Sequence, residues 1–164
     1  MKLESLQDLF SEELADLQSA EEQLTKALPK MVATAHNPEL KNALENHLEE
    51  TKTQLQRIEG IINRMPRKPR AKTCKAMKGL IEEGSELMKT KGEPAVIDAG
   101  LIAAAQRVEH YEIAAYGCAR TYAEVLGDSE AVQALEASLD EEKSADETLN
   151  EIALNVVNIQ AARA

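Results

Sequence analysis

Aromatic side chains are nearly missing from this chain: it has no Trp, one Phe and three Tyr in 164 residues. A core without rings must be built from Leu, Ile, Val, Ala and Met. Ala and the straight-chain residues among these are strong helix formers. Runs of β-branched and aromatic residues, the mark of strands, are also scarce, which argues against a sheet. Cysteine is equally sparse. Cys74 and Cys118 form no CxxC motif, and both read as free thiols behaving as small hydrophobes in a reducing compartment. Positive charge is in deficit too, with a formal net charge of −10. A surface this acidic repels a phosphate backbone, which excludes nucleic acid as a partner. The one dense basic run, Arg64 to Lys72, holds two prolines and no aromatic residue, and reads as a solvated loop between helices. No stretch reaches the roughly 18 consecutive apolar residues of a membrane span. The opening Met1-Lys2-Leu3-Glu4-Ser5 lacks a signal-peptide apolar region. The expectation is a cytoplasmic, all-α protein with no membrane partner, forming one domain over residues 1–164.

What is present is helical periodicity. Leu6, Phe10, Leu14, Leu17, Leu24, Leu28 and Met31 follow one another at spacings of three, four and seven, predicting a helix from Ser5 to Thr34. Pro29 predicts a kink within it. Asn37-Pro38 reads as an N-cap followed by proline at the first helical position. A second helix then carries Leu40, Leu44, His47, Leu48, Leu55, Ile58, Ile61 and Ile62, and stops near Met65 before Pro66 and Pro69. A shorter helix spans Thr73 to Thr90, weakened by Gly79 and Gly84. Pro94 to Leu126 and a final helix using Val132, Leu135, Leu139, Leu149, Ile152 and Val156 follow, separated by Gly127 and a cap at Asp128 or Ser129. Two long hairpins joined by a long link predict a ferritin-like four-helix bundle, its one crossover containing the shorter helix.

Several acidic residues sit on the apolar stripes. Glu21 lies between Leu17 and Leu24, Glu112 between Val108 and Ala115, and Glu142 between Leu139 and Leu149. Glu109 is one turn from Glu112, Asp146 one turn from Glu142, and His47 and Glu50 lie three apart on the second helix. Their heights agree. Glu21 and Glu50 are equally far from the first hairpin turn, between Ala35 and His36; Glu112 and Glu142 are equally far from Gly127. Carboxylates buried together raise one another's pKa and cost several kcal/mol each if left ionised and alone. A divalent metal pair removes both penalties, because hard cations take oxygen ligands and imidazole adds affinity for iron or manganese. Interhelical ion pairing with Lys26, Arg107 or Lys143 is the alternative.

The segments Ser19-Ala20-Glu21-Glu22-Gln23-Leu24, His47-Leu48-Glu49-Glu50-Thr51, Val108-Glu109-His110-Tyr111-Glu112 and Glu141-Glu142-Lys143 resemble those of the YciF-like family, as does Cys74-Lys75-Ala76-Met77-Lys78-Gly79 in the crossover. The resemblance spans nearly the whole chain. It implies a bacterial, stress-associated protein with a ferritin-like bundle, usually a homodimer, and no established biochemical activity. The chain departs from the wider ferritin-like plan in lacking Glu-x-x-His on both candidate helices: Thr53 follows Glu50 by three, and Ala145 follows Glu142 by three.

Three functions are compatible with this reading. The first is a protein holding two divalent ions, iron or manganese, on Glu21, His47, Glu50, Glu109, Glu112, Glu142 and Asp146, with Glu50 and Glu142 as bridging candidates. The second is a metal-dependent oxidoreductase acting on oxygen, peroxide or ferrous iron, its carboxylates shifting between terminal and bridging modes. The third is a structural dimer without metal.

Overall fold

The computed structural model describes residues 3–164. It has five principal helices: α1 (Leu6–Thr34), α2 (Pro38–Arg64), α3 (Lys75–Met88), α4 (Pro94–Leu126) and α5 (Ser129–Ile152). A π turn, Ala153–Val157, and a last helical turn, α6 (Asn158–Ala161), continue α5. The boundaries follow local chemistry. Ser5 caps α1, its Oγ accepting from Asp8 N at 3.1 Å. The Asn37 side chain accepts from Glu39 N and Leu40 N, with Pro38 at the first helical position. Gly127 ends α4 at φ +77°, a left-handed conformation that favours glycine. Asp128 caps α5 through Ala131 N. Helix α1 runs on through Pro29, which sits on its exposed side, where a missing backbone donor is tolerated by water.

The four long helices form a ferritin-like four-helix bundle. α1 packs on α2 and α4, and α5 packs on α4 and α2. The buried face of each long helix advances by alternating threes and fours. On α2 it reads Leu40, Leu44, His47, Thr51, Gln54, Ile58, Ile61, and on α5 Ala131, Leu135, Ser138, Glu142, then Leu149 and Ile152. That is the seam of helices crossing at a shallow angle. At the end of α5 the π turn inserts one residue and shifts this seam. The buried side chain there is therefore Val157, while Val156, on the expected stripe, is only half-buried.

Polar seam positions divide the apolar interior in two. One cluster includes Leu24, Leu28, Leu40, Leu44, Leu101 and Leu149. The other includes Phe10, Leu14, Leu17, Ile58, Tyr116 and Leu135. Between them lies the layer that carries Glu21, His47, Glu109, Glu112 and Glu142.

Buried Asp98, in the first turns of α4, fixes the direction of that helix. Its carboxylate accepts from His36 N at 2.9 Å and Asn37 N at 2.7 Å in the α1–α2 turn. α4 therefore starts beside that turn, whereas α2 ends at the far end of the bundle. The connection must travel the bundle's length, and α3 is the part of it that lies against α1 and α4. Close approach is permitted at Gly100, where an added Cβ would sit 2.8 Å from Leu87 Cδ2. Cys74, the N-cap of α3, anchors the crossover: its N donates to Ser19 Oγ at 3.0 Å, and its carbonyl accepts from Gln23 Nε2 at 3.2 Å.

Removing the Asp98 carboxylate leaves two backbone donors without their acceptor. Asp98→Ala should lower stability by about 2 kcal/mol or more, given the worth of hydrogen bonds to charged groups. Asp98→Asn, which keeps one acceptor, should lose less. Urea denaturation of the three proteins checks this ordering.

Candidate metal centre

Four helices contribute to the polar layer. His47 comes from α2, Glu109 and Glu112 from successive turns of α4, Glu142 from α5 and Glu21 from α1, and all five are buried. One ligand atom from each of His47, Glu109, Glu112 and Glu142 can be chosen so that all four lie within 4.8 Å of one another. His47 Nε2 is 3.3 Å from Glu109 Oε2 and 3.9 Å from Glu142 Oε2. Glu21 flanks Glu112 and accepts a short hydrogen bond from the Tyr116 hydroxyl. Many of these atoms have no hydrogen-bond partner: both Glu112 oxygens, one oxygen each of Glu21, Glu109 and Glu142, and both His47 nitrogens. Buried polar atoms are almost always satisfied, so such a concentration of converging orphans fits a cation-holding site.

Among the described residues, no Lys or Arg forms an ion pair with these carboxylates. Lys26 and Arg107 are exposed, and Lys143 pairs with Asp140 at 3.3 Å. The compensation is protonic instead. Burial, offset only partly by the Tyr116 hydrogen bond and by His47, raises Glu21 from the ordinary 4.5 to about 8. Burial raises Glu109 and Glu112 well above the carboxylate range, and Glu142 adds like-charge repulsion to both. Burial pulls His47 down, but Glu109, Glu50, Glu142 and Glu21 overcome it and lift the imidazole to about 10. The cluster titrates as a unit that shares protons. A divalent ion would displace those protons and meet the orphaned oxygens.

Neighbouring side chains hold the layer in place. Gln54 Nε2 donates to Glu142 Oε1 at 2.5 Å and to Glu141 Oε2 at 3.1 Å. Arg57 grips Glu141 with two bonds of 2.6 and 2.8 Å. This chain fixes one oxygen of Glu142 and leaves the other facing the cluster, the kind of outer support that orients metal ligands. On the α1–α4 side, Tyr111 donates to Asp16 Oδ2 at 2.6 Å, and its hydroxyl lies 3.0 Å from Cys74 Sγ. Burial keeps Tyr116 a neutral donor, with a pKa well above its ordinary value.

Five of the seven residues expected at the site come together here. Glu50 lies at the rim, its side chain 44% exposed and its Oε2 3.6 Å from His47 Nδ1. Asp146 lies outside the cluster, accepting from Gln106 Nε2 at 3.2 Å and standing 3.4 Å from exposed His110. Both have the right height and the wrong azimuth. The α2 seam passes through His47 and Thr51, so Glu50 falls one step off it. The α5 seam passes through Glu142 and Leu149 with Ala145 between, so Asp146 falls one step off. Gln54 was overlooked as a partner of the site, although its seam position three residues after Thr51 marks it.

Fold and site together define a ferritin-like all-α bundle with a carboxylate–histidine cluster at its centre. The chain belongs to the family described as "Domain of unknown function (DUF892)", whose profile matches residues 5–162. It is 44% identical over 162 residues to Protein YciF of Escherichia coli K12, covering 98% of each chain. The crystal structure of that protein, called a stress protein, superposes with a TM-score of 0.90 over 94% of this chain and 98% of the other. YcfI of Rhodopseudomonas palustris is 42% identical with a TM-score of 0.88, over 93% and 98% of the two chains. A protein from Xanthomonas campestris is 25% identical with a TM-score of 0.74, over 97% and 98%.

Raised pKa values mean that the folded, metal-free chain holds protons that the unfolded chain releases. Stability from Glu21 is complete below about 4.5 and is lost as pH rises to about 8; that from His47 is complete below 6.5 and is lost towards about 10. The melting temperature of metal-free protein should therefore fall by several degrees between pH 6 and pH 9. Glu112→Gln, which removes one buried acid, should flatten the slope. A slope identical in wild type and variant would mean that the cluster does not govern it.

Proposed function

We propose that this chain is a stress-associated, ferritin-like protein that binds two divalent ions, iron or manganese, within the bundle. The carrying observation is the convergence of His47, Glu109, Glu112 and Glu142 on a space 4.8 Å across with their partnerless buried atoms. One ion is framed by those four side chains. Glu21, beside Glu112, would help to hold a second, together with Glu112 and Glu142. Four carboxylates and one neutral imidazole would match the charge of two divalent ions, which is the balance of carboxylate-bridged bundle sites. Iron or manganese in such a site supplies redox and Lewis-acid chemistry. The protein's own part is to keep the ligands oriented through Gln54 and Tyr116.

A second reading, a metal-dependent oxidoreductase acting on oxygen, peroxide or ferrous iron, is favoured by a cleft of about 130 Å³ that reaches His47 and Glu109. The low imidazole content ranks binding ahead of turnover. A structural dimer without metal would leave the layer's carboxylates to be neutralised by protons alone, with seven of the cluster's buried atoms lacking a hydrogen-bond partner among the described residues. Exposed Leu154 and Ile159 support homodimerisation.

Elemental analysis after anaerobic loading with ferrous iron or manganese(II) tests the reading. About two ions per chain are expected from the plan of such bundles. Glu112→Ala and Glu142→Ala should each lose most of the bound metal. One ion per chain would reduce the centre to a mononuclear site, and none would leave the bundle a structural protein.

A further inference from the structure

The centre has one covered flank and one that meets solvent. On the α1–α4 side α3 lies over the bundle, with Cys74 and Met77 fully buried against it. Along the axis the two apolar clusters close the layer above and below. Between α2 and α5 the cleft of about 130 Å³ reaches inward. His47 and Glu109 form its buried end, while exposed Asn46 and Ser144 stand at its mouth. The gap exists because Ala145 takes a seam position that is filled by leucine one heptad-step away, at Leu149. A volume of this size holds several waters.

We infer that this cleft is the port through which a divalent cation reaches the centre, with Glu50 the carboxylate that takes it first. The inference rests on the metal-binding reading above and adds the route and the residue that serves it. Three observations carry it. His47, only 4% exposed, lines the cleft with Nε2 3.3 Å from Glu109 Oε2 and Nδ1 3.6 Å from Glu50 Oε2, facing carboxylates on both sides without a formed hydrogen bond. Glu50 spans rim and interior: its side chain is 44% exposed, yet its Oε2 is 3.6 Å from His47 Nδ1. A neighbouring groove, which shares Ala43, Asn46 and Thr148 with the cleft, carries two further acids, Glu39 and Glu151. A hydrated cation can exchange its first water for the exposed Glu50 oxygen without being buried. Glu109, and His47 once it has released its proton to water in the cleft, would then replace further waters, which spreads the dehydration cost over steps instead of concentrating it in one.

Cobalt(II) uptake by metal-free protein, followed by its ligand-field absorbance in a stopped-flow instrument, tests the route. Ala145→Leu fills the cleft without replacing a proposed ligand. It should slow uptake by about tenfold or more, because entry then requires the helices to move apart, while the final absorbance and stoichiometry stay the same. Asn46→Lys alters only an exposed mouth residue and keeps the core intact. It should slow uptake severalfold at low salt, the difference vanishing at high salt. Glu50→Gln should slow uptake and retain full occupancy. If wild type binds cobalt and both Ala145→Leu and Asn46→Lys bind it equally fast, the port is elsewhere. If Glu50→Gln loses the ion, Glu50 is a resident ligand and its role here is overturned. If wild type itself takes up no cobalt, the metal reading falls and the port falls with it.

Discussion

The constraint on which this structure turns is the burial of four carboxylates and one imidazole in a single layer, with no lysine or arginine among the described residues paired to them. In water such groups repel one another only weakly. In a packed interior the repulsion and the lost hydration are each severe. Something positive must enter the layer, and protons are the minimum that can. Glu21, Glu109 and Glu112 are all pushed upward by burial, and His47 is held protonated by the carboxylates around it. The metal-free fold is thus a state in which protons supply the positive charge the layer needs. Apolar side chains at the same seam positions would make a more stable bundle, so the layer is retained at the expense of stability.

The scaffold is arranged so that this strain does not spread. Two apolar clusters, one on each side of the layer, hold the helices together independently of it. Asp98 ties α4 to the α1–α2 turn, and the crossover is pinned at Cys74, so the register between hairpins is set by contacts outside the cluster. Gln54, held through Glu141 by Arg57, and Tyr116 then restrict two of the carboxylates individually. Ligand geometry is therefore imposed from outside and does not depend on an ion to create it, which is the condition for a preorganised site.

Much of this was legible in the sequence, and the illegible part has a physical cause. Helix ends were marked by Ser5, Asn37-Pro38, Gly127 and Asp128, each of which acts locally and needs no tertiary context. The common height of Glu21, Glu112 and Glu142 followed from counting residues from two turns, since helical rise is nearly constant. Azimuth is less forgiving. One residue is a rotation of about 100°, and a stripe followed in threes and fours leaves a choice at every step. His47 with Thr51, and Glu142 with Ala145, complete unbroken seams, and those seams set Glu50 and Asp146 aside. The π turn after Ile152 could not be read, because it changes the period itself and moves burial from Val156 to Val157. Gln54 went unnoticed because an amide on a core face carries no charge to attract attention.

The departure from paired Glu-x-x-His segments can be understood from the same seams. On α5 the position three after Glu142 is Ala145, and its small side chain leaves space where an imidazole would otherwise stand. On α2 the corresponding face carries Thr51 and Gln54. Thr51 satisfies its own hydroxyl on the His47 carbonyl at 2.8 Å, and Gln54 satisfies Glu142. On α5 that position is thus an opening, and on α2 a hydrogen-bond donor stands on the core face. Fewer nitrogen ligands leave a harder, more oxygen-rich site, which favours cations that hold water and exchange it readily over those that prefer imidazole. The opening lies beside His47, the one imidazole of the layer. The features that set this layer apart from paired Glu-x-x-His bundles are thus the same ones that make it richer in oxygen and more open between α2 and α5.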